Sequence, residues 1–118
     1  MSHNKLSENA LLMLSEGLSS NTKLTDLFFT HNNLAEGGEG AIAFLNSLSN
    51  KKDLKSLALN SCALNGRLLE CLKLAIENHT ALKELYLFAN KIDANGAGCI
   101  SSIIKNKVKL SCLGLSNN

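Results

Sequence analysis

The sequence predicts an α/β solenoid of about four repeats, right-handed, with a parallel β-sheet on its concave side and α-helices on its convex side. Three observations carry this. Four segments of one pattern recur at a near-constant period. A helix-spaced apolar stripe lies between successive segments. Apolar residues make up 45% of the 118-residue chain and aromatics only 4%, so aliphatic side chains must fill a continuous core.

The segments are LTDLFFTHNNL (24–34), LKSLALNSCAL (54–64), LKELYLFANKI (82–92) and LSCLGLSNN (110–118). Their starts are 30, 28 and 28 residues apart, and each fits L-x-x-L-x-L-x-x-[N/C]-x-L as far as it extends, with Phe29 and Ile92 as apolar substitutes. Between them run apolar columns: Leu11, Ala41, Leu69 and Ala97; Leu14, Phe44, Leu72 and Ile100; Leu18, Leu48, Ile76 and Ile104. Within a repeat these positions are three to four residues apart, one face of a helix. Helices are expected near 7–19, 39–49, 66–78 and 95–106. A two-residue insertion around Glu36, Gly37 and Gly38 keeps the second repeat in register, and the glycines read as the turn that accommodates it. A helix returns the chain after every strand, so the strands must be parallel and the crossovers right-handed. Helices are wider than the ~4.8 Å strand spacing, which curves the stack with the strands inside.

The pattern resembles the leucine-rich repeat family. The 28-residue period and helical outer side are similar to its ribonuclease-inhibitor-like subclass, which includes ribonuclease inhibitor, the sensor regions of NOD-like receptors, Ran GTPase-activating protein and tropomodulin. Residues 1–118 read as one such domain, with repeats starting near 24, 54, 82 and 110 and a partial repeat at 1–23. No polar terminal cap is evident, and Leu12 and Met13 add apolar surface to the first helix. A fragment of a longer array is therefore expected, and its open ends are expected to self-associate. The column Asn4, Asn32, Cys62, Asn90 and Asn118 is read as structural. An amide is both donor and acceptor, so it can satisfy the backbone where the chain turns inward; Cys62 can do this only more weakly.

Side chains alternate along a strand. The residues between the leucines therefore line the concave sheet: Asp26, Phe28 and Thr30; Ser56, Ala58 and Asn60; Glu84, Tyr86 and Phe88; Cys112, Gly114 and Ser116. Exposed aromatics beside small residues resemble interface anchors. Phe28, Tyr86 and Phe88 are the candidate anchors for a partner protein, and Asp26, Thr30, Asn60 and Glu84 the candidate specificity contacts. Seven lysines (Lys23, Lys51, Lys52, Lys55, Lys83, Lys107 and Lys109) fall where the chain passes from helix to strand. They read as a solvated rim that also suits helix C-termini.

Other chemistry is sparse. The net charge of +2 argues against nucleic acid. No apolar run approaches the roughly 18 residues of a membrane span. None of Cys62, Cys71, Cys99 and Cys112 forms a C-x-x-C pair, so no metal site is expected, and four reduced thiols suit the cytoplasm or an effector delivered into a host cell. His3 and His31 share a repeat position without a third ligand, and His79 reads as an incidental loop residue. No catalytic residue, cofactor or metal is expected. The resemblance to Ran GTPase-activating protein raises one enzyme-linked alternative, a GTPase-activating scaffold using the sole arginine, Arg67. Another alternative is a purely structural spacer in a larger repeat protein.

Overall fold

The computed structural model describes residues 5–105 and 107–118. The expected pairing of His3 with His31, and the first position of the Asn column, lie outside these residues. Helices α1 (Glu8–Ser20), α2 (Gly38–Asn46), α3 (Gly66–Ile76) and α4 (Ala94–Lys105) alternate with strands β1 (Asp26–Phe28), β2 (Ser56–Ala58), β3 (Glu84–Tyr86) and β4 (Cys112–Gly114). The strands form one parallel sheet in the order β1-β2-β3-β4. The register follows the sequence pattern: Leu27 pairs with Leu57, Leu57 with Leu85 and Leu85 with Leu113. This is an α/β arrangement of successive strand–helix units, compatible with a repeat solenoid. The core is aliphatic, with Leu57, Leu59, Leu72, Leu85 and Ile103 fully buried. Two phenylalanines join it: Phe29 and Phe44 meet with ring centroids 4.3 Å apart.

Helix starts follow one rule with one exception. Ser7, Asn65 and Asp93 occupy the same repeat position, and their side-chain oxygens accept from Ala10 N (3.2 Å), Leu68 N (3.0 Å) and Gly96 N (2.8 Å). Each satisfies an N–H with no partner inside its helix. The second unit has glycine at this position. Its insertion forms a 3-10 turn over Leu34–Glu36, and the chain then turns through Gly38 at φ +52°, a conformation glycine takes without steric penalty. With no cap of its own, α2 borrows one: the carboxylate of Glu8 in α1 accepts from Glu39 N at 3.2 Å. A carboxylate there also complements the helix dipole. Glu8→Ala is expected to lower stability by about 0.5–1 kcal/mol, checked by urea unfolding, with the loss shrinking at high salt.

Strand ends are costly in backbone terms. His31, Ser61, Ala89 and Asn117, all one residue before the Asn column, adopt left-handed φ values of 59°, 54°, 55° and 61°. The column residue compensates. Asn90 Oδ1 accepts from Cys62 N (2.9 Å) and Leu64 N (3.3 Å), while Nδ2 donates to Leu59 O (2.9 Å) and Leu87 O (3.0 Å). Asn118 repeats this one unit on, accepting from Asn90 N at 2.8 Å and donating to Leu87 O at 2.9 Å. Cys62 only donates: its thiol lies 2.8 Å from Phe29 O, and the Leu34 N–H turns instead to the Cys62 backbone carbonyl at 2.9 Å. Burial pushes the Cys62 thiol up to about 11, so it stays protonated and able to donate.

The helix-to-strand loops correct two expectations. Lys51 and Lys107 are not rim residues but buried, and His79 is not incidental. The three stand at one repeat position, three residues before Leu54, Leu110 and Leu82 respectively. Each reaches back to the C-terminal turn of the preceding unit's helical segment. Lys51 Nζ donates to Leu18 O, to Asn50 Oδ1 and to Ser47 O, the last at 3.2 Å. His79 Nε2 lies 2.7 Å from Leu48 O, and Lys107 Nζ donates to Glu77 O at 2.7 Å. A helix leaves its last carbonyls unpaired and partly negative, so a buried cation or N–H is held there. The same demand explains why α2 ends at Asn46 and continues as a 3-10 turn over Ser47–Asn50: Leu48 O already accepts from Lys51 N (3.0 Å) and His79. Lys23, Lys52, Lys55, Lys83 and Lys109 are exposed, as expected of a rim.

Candidate interaction surface

The leucines of the central strands turn into the helix-side core, so the alternate positions face the other way. Register sets them in rows across the sheet: Asp26, Ser56, Glu84 and Cys112 in one, Phe28, Ala58, Tyr86 and Gly114 in the next. Thr30, Asn60, Phe88 and Ser116 follow at the strand ends. All seven residues expected to meet a partner therefore belong to this one side of the sheet.

Their surroundings differ from the expectation of uniformly exposed groups. Phe28 is 51% exposed. Tyr86 and Phe88 are half-buried because they stack on each other, with centroids 6.0 Å apart and planes 22° apart. The Phe88 ring also lies directly over β4: a Cβ on Gly114 would sit 2.3 Å from Phe88 Cζ. Any larger residue at 114 would displace the ring. These two aromatics therefore help cover the sheet as well as facing outward. The Tyr86 phenol is pushed up to about 12, first by its hydrogen bond with the Cys112 thiol, then by burial and the charge of Glu84.

Ser56 and Ala58 were expected to line the exposed face and instead are only 3% exposed. They are small and lie on an inner strand, overshadowed by larger side chains on the strands either side. The front of β2 is therefore covered, with Phe28 on the strand to one side and the Tyr86–Phe88 pair on the other, roughly 10 Å apart as two strand spacings. Asp26 is exposed and held by Thr25 Oγ1 at 2.6 Å. Asn60 is partly committed, since its Oδ1 accepts from Phe88 N at 2.8 Å. That bond ties the end of β2 to the aromatic pair.

Elsewhere, Arg67 at the start of α3 is an exposed side chain in a loose ion pair with Glu39 at 3.7 Å. Among the described residues no cluster of His, Cys, Asp or Glu could hold a metal ion, and no helix is long and apolar enough to cross a membrane. Ile92, Ala97, Ile100, Ile104 and Leu115 line an apolar hollow of about 300 Å³ beside β4. The Lys51, His79 and Lys107 column escaped the sequence reading, although its signal was present as a basic or imidazole residue three places before each later segment.

A stretch of 101 residues, 85% of the chain, is 33% identical to the Bos taurus protein "NLR family CARD domain-containing protein 4". A stretch of 115 residues, 96% of the chain, is 33% identical to "NACHT, LRR and PYD domains-containing protein 3" of the same species. The similarity supports a leucine-rich repeat relationship. The chain spans only about a tenth of the length of these relatives, 10% and 11%. No family model and no solved structure matches it.

Proposed function

We propose that the chain is a non-catalytic protein–protein interaction module, a piece of a ribonuclease-inhibitor-like leucine-rich repeat horseshoe working in the cytoplasm. A partner protein binds the concave sheet, with Phe28, Tyr86 and Phe88 as anchors and Asp26, Thr30, Asn60 and Glu84 setting specificity. The observation that carries this reading is the aromatic surface of the sheet: Phe28 is 51% exposed, and the half-buried Tyr86–Phe88 stack lies on the same side two strands on. Aromatic side chains on a face of this kind are typical anchors of a protein interface. The similarity to proteins of the NLR family supports a protein-interaction repeat domain.

The test is a photo-crosslinking residue placed at position 28, followed by affinity measurement with the purified partner it captures. Tyr86→Ala/Phe88→Ala is expected to weaken that affinity about 100-fold, the loss of about 2.7 kcal/mol typical of a hot spot. Lys105→Ala on α4 should leave it unchanged. Because the rings stack, the double variant should also lose about 1–2 kcal/mol of stability, measured separately by thermal melting. Unchanged affinity in a folded double variant would refute the reading.

A further inference from the structure

Among the loop residues that staple each unit to the one before, His79 differs from Lys51 and Lys107 in one respect: it can change charge near neutral pH. Its ring is 1% exposed. Its 2.7 Å contact is with a backbone carbonyl, which only accepts, so Nε2 carries the proton. Nδ1 is then the lone-pair nitrogen, and it is buried with no hydrogen-bond partner. A second proton would have to go to Nδ1, where no acceptor waits. The charges around the ring make that worse. Lys51 and Lys52, from the loop after the Ser47–Asn50 turn, and Lys107, from the loop after α4, all act on it. The nearest acidic chain position is Glu77, at the end of α3, whose carbonyl is taken by Lys107; no carboxylate is among the charges that act on the ring.

We propose that His79 is an acid-sensitive staple, which fixes the second strand–helix unit to the third most firmly while the imidazole is neutral and weakens that junction when a second proton is forced onto the partnerless Nδ1, the Nε2–H bond to Leu48 being kept. The loop it anchors runs directly into β3, which carries Glu84 and Tyr86. Weakening there therefore reaches the strand that carries Tyr86 and leaves the lysine-held junctions unaffected. The device stands on the packing of His79 alone and not on the binding role of the sheet.

Burial, followed by the lysines, pulls the His79 pKa below its ordinary 6.5 against the opposing hydrogen bond to Leu48. The folded state thus binds its proton later than the unfolded chain. The stabilisation is complete above the unfolded pKa and is lost as pH falls from there to the folded pKa, by up to tenfold in the folding equilibrium constant per pH unit.

Two measurements test this on the 118-residue chain. The first is an NMR titration of the unaltered protein, expected to place the His79 midpoint below its ordinary 6.5; a midpoint at or above 6.5 would overturn the proposal. The second is urea unfolding between pH 7 and pH 5 for the unaltered chain and for His79→Lys. That variant carries the side chain found at this position in the neighbouring units, with a charge that does not change over this range. The unaltered chain should lose stability on acidification in the window just below 6.5 and His79→Lys should not. Equal losses in both would also overturn it.

Discussion

Asn90→Ala is expected to destabilise the fold by about 3–5 kcal/mol, among the largest single effects in this chain. The amide is 2% exposed and spans two units. Removing it strands the N–H groups of Cys62 and Leu64 and the carbonyl of Leu59 in a place water does not reach, while Leu87 O keeps its bond from Asn118. An orphaned buried polar group costs about 1–3 kcal/mol, and neighbouring losses are not additive because the turn relaxes. The turn is also held left-handed at Ala89 and Lys91, so relaxation is expected to begin there. Asn90→Cys should fall between the alanine variant and the unaltered protein: as Cys62 shows, a thiol donates to a strand carbonyl but leaves the preceding unit's N–H to find another acceptor. Urea unfolding of the three chains at one pH checks the order, and Asn90→Ala within about 1 kcal/mol of the unaltered protein would contradict the accounting.

Lys51→Met is expected to lower stability by about 3 kcal/mol. Methionine preserves most of the buried stem's volume, so the change isolates the ammonium. That group is fully buried and closes the C-terminal turn of α1 through Leu18 O, the 3-10 turn through Ser47 O, and Asn50 through its amide oxygen. Asn50 in turn donates to Ser19 O at 2.7 Å, which doubles the tie between the first and second units. Exchanging a whole buried ion pair for apolar groups is often neutral. Here only the donor disappears and the carbonyls stay. Hydrogen exchange should therefore quicken at the end of α1 before it does in β3. Equal stability of Lys51→Met and the unaltered chain would mean that water can replace the ammonium.

The leucine columns were legible because burial acts alike on the inner strands, where Leu57 and Leu85 are fully buried, although at β4 the matching Leu113 and Leu115 are 36% and 37% exposed. A residue that must face the helix-side core recurs at one beat, and the strand register reproduces it at Leu27, Leu57, Leu85 and Leu113. The Asn column was legible for the same reason, down to the weaker substitute at Cys62. The front of the sheet was legible as a list of positions but not as a surface. Alternation put Ala58 and Phe88 on one side equally; it could not foretell that Phe88 would lie over Gly114 while Ala58 sank beneath its neighbours. Lys51 and Lys107 misled for a related reason. A long flexible side chain with a charged tip is ordinarily solvated, and nothing in the local sequence says that a helix end of the preceding unit, some 30 residues back, will present carbonyls to it.

The residue pattern by itself determined the alternation of strand and helix, the parallel register and which side chains form the core, since each depends on a short-range period that burial imposes. Tertiary structure alone decided which polar groups are buried and what they hold: Glu8 capping a helix not its own, His79 and the two lysines closing helix ends, the aromatic pair roofing its neighbour strand. These contacts join residues about 30 positions apart, where the partner is set by how one unit stacks on the next and not by any property of either residue's own segment.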